Sequence, residues 1–387
     1  MKKNVLIILN KYLSGVGQNA ICIKKILPLI NDSLNVHILT FEQERLKDIN
    51  SNSFIHTVFV KREQKNPFLE LLRKRKNIKK GYKKASSIII ENNIDCIISV
   101  VYPLESAVIL TKLKKKYDHL NTLLYEIDSI SNRYKSPKTL YEKIYASLLL
   151  NVEQKAFENS NYIVLMKTHE MHYKYKFPSY ESKFIISDIP SLDVNNYDGA
   201  KITKKEQFKA IYGGNLYKGI RSIDYCLLFF KELRKFIDLS LNVYTNSTDL
   251  IANYYEYNEI FYFNKLISND EFAKREQEAD ILISLGNKNS DFLPSKVLSS
   301  ISTGKIVIHF YSDSNDVAIE YLSRYPYAIL LNEGVSIREN IEKVLKGLSI
   351  IFSSEKISRY HIFKEFYSNT PNCIAEIIKE KVNVKSI

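Results

Sequence analysis

Residues 291–305 read Asp-Phe-Leu-Pro-Ser-Lys-Val-Leu-Ser-Ser-Ile-Ser-Thr-Gly-Lys, and they follow a short apolar run at 281–285 and a polar loop that opens on Gly286. That order predicts a strand followed by a helix that opens on Pro294, Ser295 and Lys296. Proline suits the first helical turn, serine caps free amides, and lysine adds charge to the positive end of the helix dipole. A helix start of this kind holds an anion, and phosphate is the natural guest. Asp291, just ahead of it, is placed to accept hydrogen bonds from sugar hydroxyls.

A second anion site is predicted where the apolar run 208–212 meets Gly213, Gly214, Asn215, Leu216, Tyr217, Lys218 and Gly219. The glycines let the backbone approach a ligand, and Lys218 and Arg221 bring cations to a helix expected to start near Ile220. The first strand, 5–9, leads through Gly15 and Gly17 into another helix. Its loop is too long, and lacks the third glycine, for a dinucleotide fingerprint. The sites near Lys218 and Lys296 both follow carboxyl ends of strands, so a doubly wound sheet points them into one crevice. Two anion sites there suit a diphosphate.

The elements that would carry these residues alternate throughout. Strands are expected at 5–9, 36–39, 54–60, 96–101, 122–125 and 162–165, and again at 208–212, 239–244, 260–263, 281–285, 306–310 and 328–331. Amphipathic helices fill the gaps, notably 17–27, 68–91, 104–115 and 138–159, with 335–349, 356–367 and 372–379 at the end. This is the pattern of parallel sheets covered by helices. A polar stretch at 188–206 reads as a linker. The expected organisation is a first domain over 1–190, a second over 205–365, and a terminal helix within 366–387 that crosses back to the first domain.

Composition limits the alternatives. The chain has 387 residues, enough for two cores, and its 11 Gly and 9 Pro with no repeat argue against disorder and solenoids. Cys22, Cys96, Cys226 and Cys373 are far apart, which argues against a zinc site or a disulfide framework and fits a reduced, cytoplasmic setting. The apolar run 5–9 is too short for a signal peptide or a membrane span. Net charge is +13, and the segment from Lys61 to Lys84 alone holds eleven Lys or Arg against two Glu. As a helix it sets Phe68, Leu71, Leu72, Ile78 and Tyr82 on one face. An anionic membrane surface and plain solvent both suit such a helix. No nucleic-acid-binding signature accompanies the charge, so no nucleic-acid partner is expected.

On these motifs the chain resembles a GT-B glycosyltransferase, and its second half is similar to the donor domain of glycosyltransferase family 4 and related bacterial polysaccharide enzymes. The resemblance implies two Rossmann-like domains facing a central cleft. It places the donor diphosphate on Gly213, Gly214 and Lys218, and phosphate at the Pro294, Ser295, Lys296 helix start that precedes Gly304 and Lys305. Family 4 carries two glutamates eight positions apart. Here they fall on Asp291 and Ser299, so the ribose contact implied for the second is altered. Family 4 also implies retention of configuration.

For the first domain the resemblance implies an acceptor site and, in an inverting enzyme, a catalytic base. Glu126 and Asp128 stand on one side of the fifth strand's end, where a carboxylate can deprotonate a hydroxyl. A helix cap or a partner for Arg133 and Lys135 is the other reading of these carboxylates. His169 and His172 read as surface helix residues. The expected protein transfers a sugar from a nucleotide diphosphate donor to a saccharide acceptor, lipid-linked, on the inner face of the cell membrane. Without an Asp-x-Asp cluster it needs no metal, and no cofactor beyond the donor sugar nucleotide. A non-catalytic subunit that binds a partner transferase, and a nucleotide-sugar epimerase, are the alternatives.

Overall fold

The structure is a computed structural model that describes residues 2–14, 17–43, 54–61, 67–101, 104–127, 129–131, 139–194, 197, 201–252, 254, 259–288, 293 and 295–383. The chain divides into two compact units, Met1–Pro190 with Ser368–Ile387, and Ser191–Tyr367.

The first unit runs β1 (Lys3–Asn10), α1 (Gln18–Ile30), β2 (Leu34–Glu42), β3 (Ile55–Phe59), α2 (Pro67–Glu91), β4 (Cys96–Val101), α3 (Leu104–Lys116), β5 (Asn121–Glu126), α4 (Leu140–Glu158), β6 (Tyr162–Met166), α5 (Glu170–Lys176) and β7 (Phe184–Ser187). The strands form one parallel sheet in the order β3-β2-β1-β4-β5-β6-β7. Alternation along β1 sends Leu6 and Ile8 to one core and Val5, Ile7 and Leu9 to the other, so both faces are covered. β7 escaped the sequence reading because it is only four residues long and mostly half-buried.

The second unit runs β8 (Gln207–Gly213), α6 (Asp224–Leu233), β9 (Asp238–Tyr244), β10 (Phe261–Asn264), α7 (Asn269–Glu278), β11 (Ile281–Leu285), α8 (Ser295–Ser302), β12 (Ile306–Tyr311), α9 (Val317–Leu322), β13 (Ala328–Asn332), α10 (Ile337–Ser353) and α11 (Arg359–Glu365). Its six-stranded parallel sheet has the order β10-β9-β8-β11-β12-β13. The order reverses between β8 and β11, and ligands of doubly wound sheets bind outside the strand ends at such a point. Part of the segment expected as linker is packed into this unit. Leu192, Val194 and Tyr197 are buried, and Tyr197 donates to Ile357 O at 2.9 Å. Its ring lies against Gly304, whose φ of 72° favours glycine.

The chain ends in α12 (Pro371–Asn383), which belongs to the first unit. Ile374, Ile378 and Val382, four residues apart, place one face in the core beside α1. Burying each such side chain contributes about 1.5–3 kcal/mol. Lys3 Nζ donates to Val382 O at 3.1 Å and Asn121 Nδ2 to Lys381 O at 2.6 Å, which fastens the helix end to the sheet.

Local signals explain several boundaries. Thr139 with Glu142, and Ser336 with Glu339, form reciprocal capping boxes at α4 and α10. The buried side of α2 differs from the expected one. Asn77, Gly81, Ala85 and Ile88 face inward, Ile78 and Tyr82 are half-buried, and Leu71 and Leu72 are exposed. Phe68's side chain lies outside the described residues. The shift follows from Gly81, where a Cβ would stand 2.6 Å from both Ile109 Cδ1 and Phe41 Cζ, so only the bare backbone fits. Among the described residues, no helix is long and apolar enough to cross a membrane.

Gly81→Val overpacks that contact, which typically costs about 1–3 kcal/mol. Calorimetry is expected to show a lowered melting temperature for the first unit. An unchanged transition would mean that Phe41 and Ile109 yield freely.

Candidate functional site

At the reversal point of the second sheet, the carboxyl ends of β8 and β11 open into a cavity of about 340 Å³. Gly213 and Gly214 form one edge, Phe272 and Glu276 from α7 another, and Ser284, Lys296 and Ser300 close it. Its size lies in the range of small-molecule sites.

Lys296 organises the cavity. The residue is exposed along its length, yet its ammonium turns inward, donating to Gly213 O at 2.6 Å and lying 4.1 Å from the centroid of the Phe272 ring. Burial pushes its pKa down, Glu276 partly offsets this, and the neighbouring charge of Arg221 adds to it. An ammonium has three donors. One is used by Gly213, so capacity for an anion remains. Gly213 is required by closeness, because a Cβ there would stand 2.2 Å from Phe272 Cζ. The ring that carries Lys296 therefore packs onto bare backbone.

Arg221 also lines the cavity, with Nε donating to Asn287 Oδ1 at 2.9 Å. The expected helix at Ile220 is instead a tight turn. Tyr217 and Arg221 exchange backbone bonds of 3.0 and 2.8 Å, Gly219 adopts a φ of 77°, and α6 begins only at Asp224. Lys218 stands exposed on this turn and is not part of the cavity lining. Ser299 also stays outside the lining, its hydroxyl donating back to Lys296 O at 2.9 Å, whereas Ser300 is part of the wall. Lys305 is occupied elsewhere, donating to the Gln277 and Ala279 carbonyls at the end of α7. Asp291 and Pro294 lie outside the described residues, as does the side chain of Ser295.

In the first unit, Gly17 precedes α1 with a φ of 123° and nothing within 4 Å of its missing Cβ. Gly15 and Asp128 lie outside the described residues. Glu126 is fully buried at the end of β5, where the Tyr173 hydroxyl contacts its Oε2. The same hydroxyl lies 2.9 Å from Glu153 Oε1, which also accepts from the Ile130 and Ser131 amides at 3.1 and 3.3 Å. One phenolic proton cannot serve two carboxylates, so one carboxyl must carry a proton of its own. Glu153 holds the amide donors, which favour its charge; Glu126 is the protonated member. Burial, then the charge of Glu153, pushes Glu126 well above the usual carboxylate range, and burial pushes Glu153 up to about 7. A sequestered neutral carboxyl does not suit a general base, so Glu126 is better described as a buried network member. The histidines expected on a helix surface are likewise engaged: His169 is buried, and His172 Nε2 is 2.9 Å from Ser131 Oγ.

Sequence reasoning missed Phe272, Glu276 and Ser284. The first two look like ordinary helix residues, and only tertiary packing brings α7 to β8. Ser284 had a faint signal, as the one polar side chain within the apolar run Ile-Leu-Ile-Ser-Leu.

No protein-family model and no curated protein matches the chain. Solved structures match over its whole length. A lipopolysaccharide outer core galactosyltransferase in apo form covers 98% of this chain and 100% of its own, with a TM-score of 0.62 at 13% identity. A trehalose-6-phosphate protein from E. coli, bound with UDP-2-fluoro glucose, covers 99% of both chains with 0.58 at 10% identity. The UDP-GlcNAc 2-epimerase from Methanocaldococcus jannaschii covers 97% and 99%, also with 0.58 at 10% identity. The two parallel-sheet units thus have the fold of GT-B glycosyltransferases and of proteins built like them. Identities this low establish the fold.

The buried pair makes a stability test. Both carboxyls have folded pKa values raised above the ordinary 4.5, so the folded state binds more protons and stability falls as pH rises from about 4.5 through about 7. Glu126→Gln keeps a neutral group there. It is expected to raise the first unit's melting temperature at pH 8 by on the order of 5 °C and to flatten the slope. An unchanged slope would refute the protonated assignment.

Proposed function

We propose that this protein is a glycosyltransferase that moves a sugar from a nucleotide diphosphate donor to a saccharide acceptor. The observation that carries this reading is the cavity at the β8 and β11 ends, where Lys296 and Arg221 line a wall next to bare glycine backbone. Cations beside close-approaching backbone suit a diphosphate, and the start of α8 adds a helix dipole. As the sugar leaves, charge builds on the diphosphate, and fixed cations stabilise it most where water is excluded. That a protein of this fold is bound with UDP-2-fluoro glucose supports the donor class. The reaction proceeds without metal, and Asp128, two residues beyond Glu126, is the carboxylate we assign as base should the reaction invert configuration.

Ser299 favours one other reading. Its hydroxyl is spent within its own helix, which suits a subunit that binds the donor and leaves transfer to a partner.

One experiment separates these. A panel of labelled nucleotide sugars is incubated with the full chain and a lipid-linked saccharide, with and without EDTA. Transfer that survives EDTA and falls at least about a hundred-fold in Lys296→Ala supports the proposal. Binding without transfer or epimerisation supports the non-catalytic reading, and complete loss in EDTA overturns metal independence.

The lipid-linked acceptor rests on the first unit's surface. Leu140, Ile144 and Leu148, four residues apart on α4, are exposed, as are Leu69, Leu71 and Leu72 on α2. Lys74 Nζ is 3.5 Å from Tyr145 Oη, which ties the two helices together. Arg75, Lys76, Lys79, Lys80, Lys83 and Lys84 are exposed beside them. Apolar side chains beside a basic row suit an anionic bilayer, where each cation near the surface contributes about 1 kcal/mol. In flotation assays the protein is expected to follow phosphatidylglycerol vesicles and to ignore phosphatidylcholine. The Ile144→Ser, Leu148→Ser double variant should remain largely at the bottom of the gradient; equal flotation would overturn the membrane surface.

A further inference from the structure

Ser284 lies near the end of β11 and lines the cavity. Behind it, on the neighbouring strand β12, stands His309, with no exposed surface, its Nδ1 3.0 Å from Ser284 Oγ. The other ring nitrogen, Nε2, lies 3.4 Å from Asp316 Oδ2, an electrostatic contact in which neither atom makes a hydrogen bond. Asp316 is itself fixed, because its Oδ1 caps α9 by accepting from the Ala318 amide at 2.8 Å. Space around its other oxygen is tight: a Cβ on Gly286 would stand 2.2 Å from Oδ2.

The negative charge of a carboxylate this close favours the imidazole proton on Nε2, which leaves Nδ1 as an acceptor. Nδ1 then accepts a hydrogen bond from the Ser284 hydroxyl. With its proton turned inward, Ser284 Oγ presents only lone pairs to the cavity. The order Ser, His, Asp suggests a nucleophile, yet the Gly286 amide beside it donates to Phe310 O at 2.8 Å and offers nothing to an oxyanion. The series orients a hydroxyl.

We infer that Ser284 is a specificity-determining residue, held by His309 and Asp316 as a hydrogen-bond acceptor for an O–H or N–H group on the nucleoside part of the bound nucleotide. The inference rests on the donor reading of the cavity. Its chemistry complements the cations: Lys296 and Arg221 hold phosphate of any origin, whereas a neutral acceptor at a fixed place distinguishes a nucleoside diphosphate from free pyrophosphate. Glu276 also lines the cavity, and its charge acts on the ammonium of Lys296. Ribose hydroxyls and base N–H groups share the required donor chemistry.

Calorimetric titration of the full chain with five nucleoside diphosphates and with inorganic pyrophosphate tests this. Ser284→Ala removes one oxygen and should weaken the best nucleoside diphosphate about ten-fold while leaving pyrophosphate unchanged. Asp316→Asn keeps the α9 cap, but its amide can donate to Nε2, reverse the tautomer and turn the serine proton into the cavity. It should give the same selective loss, which a merely structural effect would not. Lys296→Ala should weaken both ligands. If the 2′- or 3′-deoxy nucleotide binds wild type and Ser284→Ala equally, the ribose is the group read; if neither does, the base is. Equal nucleotide affinity in wild type and Ser284→Ala, or parallel loss of pyrophosphate, would overturn the inference alone. Wild type that binds neither ligand overturns the donor reading and this inference with it.

Discussion

Parallel strands covered on both faces leave no wall on which a charged side chain can rest, and in each unit this constraint decides where chemistry can occur. A buried charge without a partner costs several kcal/mol. Polar groups therefore collect at strand ends or are neutralised inside. In the second unit they collect where the strand order reverses between β8 and β11, the place at which two adjacent loops part and leave room. The cavity is a consequence of topology before it is a consequence of any single side chain.

Within that space Lys296 is held by a balance of weak contacts. Its ammonium is drawn to the Gly213 carbonyl and to the face of Phe272, and both are positioned by the absence of a side chain at Gly213. A cation over an aromatic face is stabilised by roughly 0.5–2 kcal/mol, comparable to one hydrogen bond. These contacts orient the charge without satisfying it, which leaves it responsive to an anion. Ser284, backed by His309 and Asp316, adds a neutral polar point to the same wall.

The first unit shows the other outcome of the same constraint. Glu126 ends a strand and looks, on residue type alone, like a carboxylate delivered to a ligand. Tertiary packing instead brings Glu153 and Tyr173 against it and closes the group away from water. The pair shares protons because two charges could not be accommodated there. β5 thus contributes a proton-bearing network closed away from solvent.

The sequence by itself determined the twelve strands with strong apolar runs, the main helices and the two glycine-and-cation segments, because short-range periodicity and helix-start chemistry are local properties. It pointed Gly213, Arg221 and Lys296 towards one crevice, since strand ends in a doubly wound sheet share an edge, and all three line one cavity. What only the tertiary structure decided was which of the named side chains reach the cavity. Lys218 is carried off on a turn, Ser299 bonds to its own helix, Phe272 and Glu276 arrive from a helix with no local mark of a site, and Ser284 from a strand where it is marked only by being polar. Burial and hydrogen-bond partners depend on contacts far apart in the chain, so the difference between a reactive carboxylate and a sequestered one, as at Glu126, is absent from the spacing of residues and appears only when the strands and helices pack.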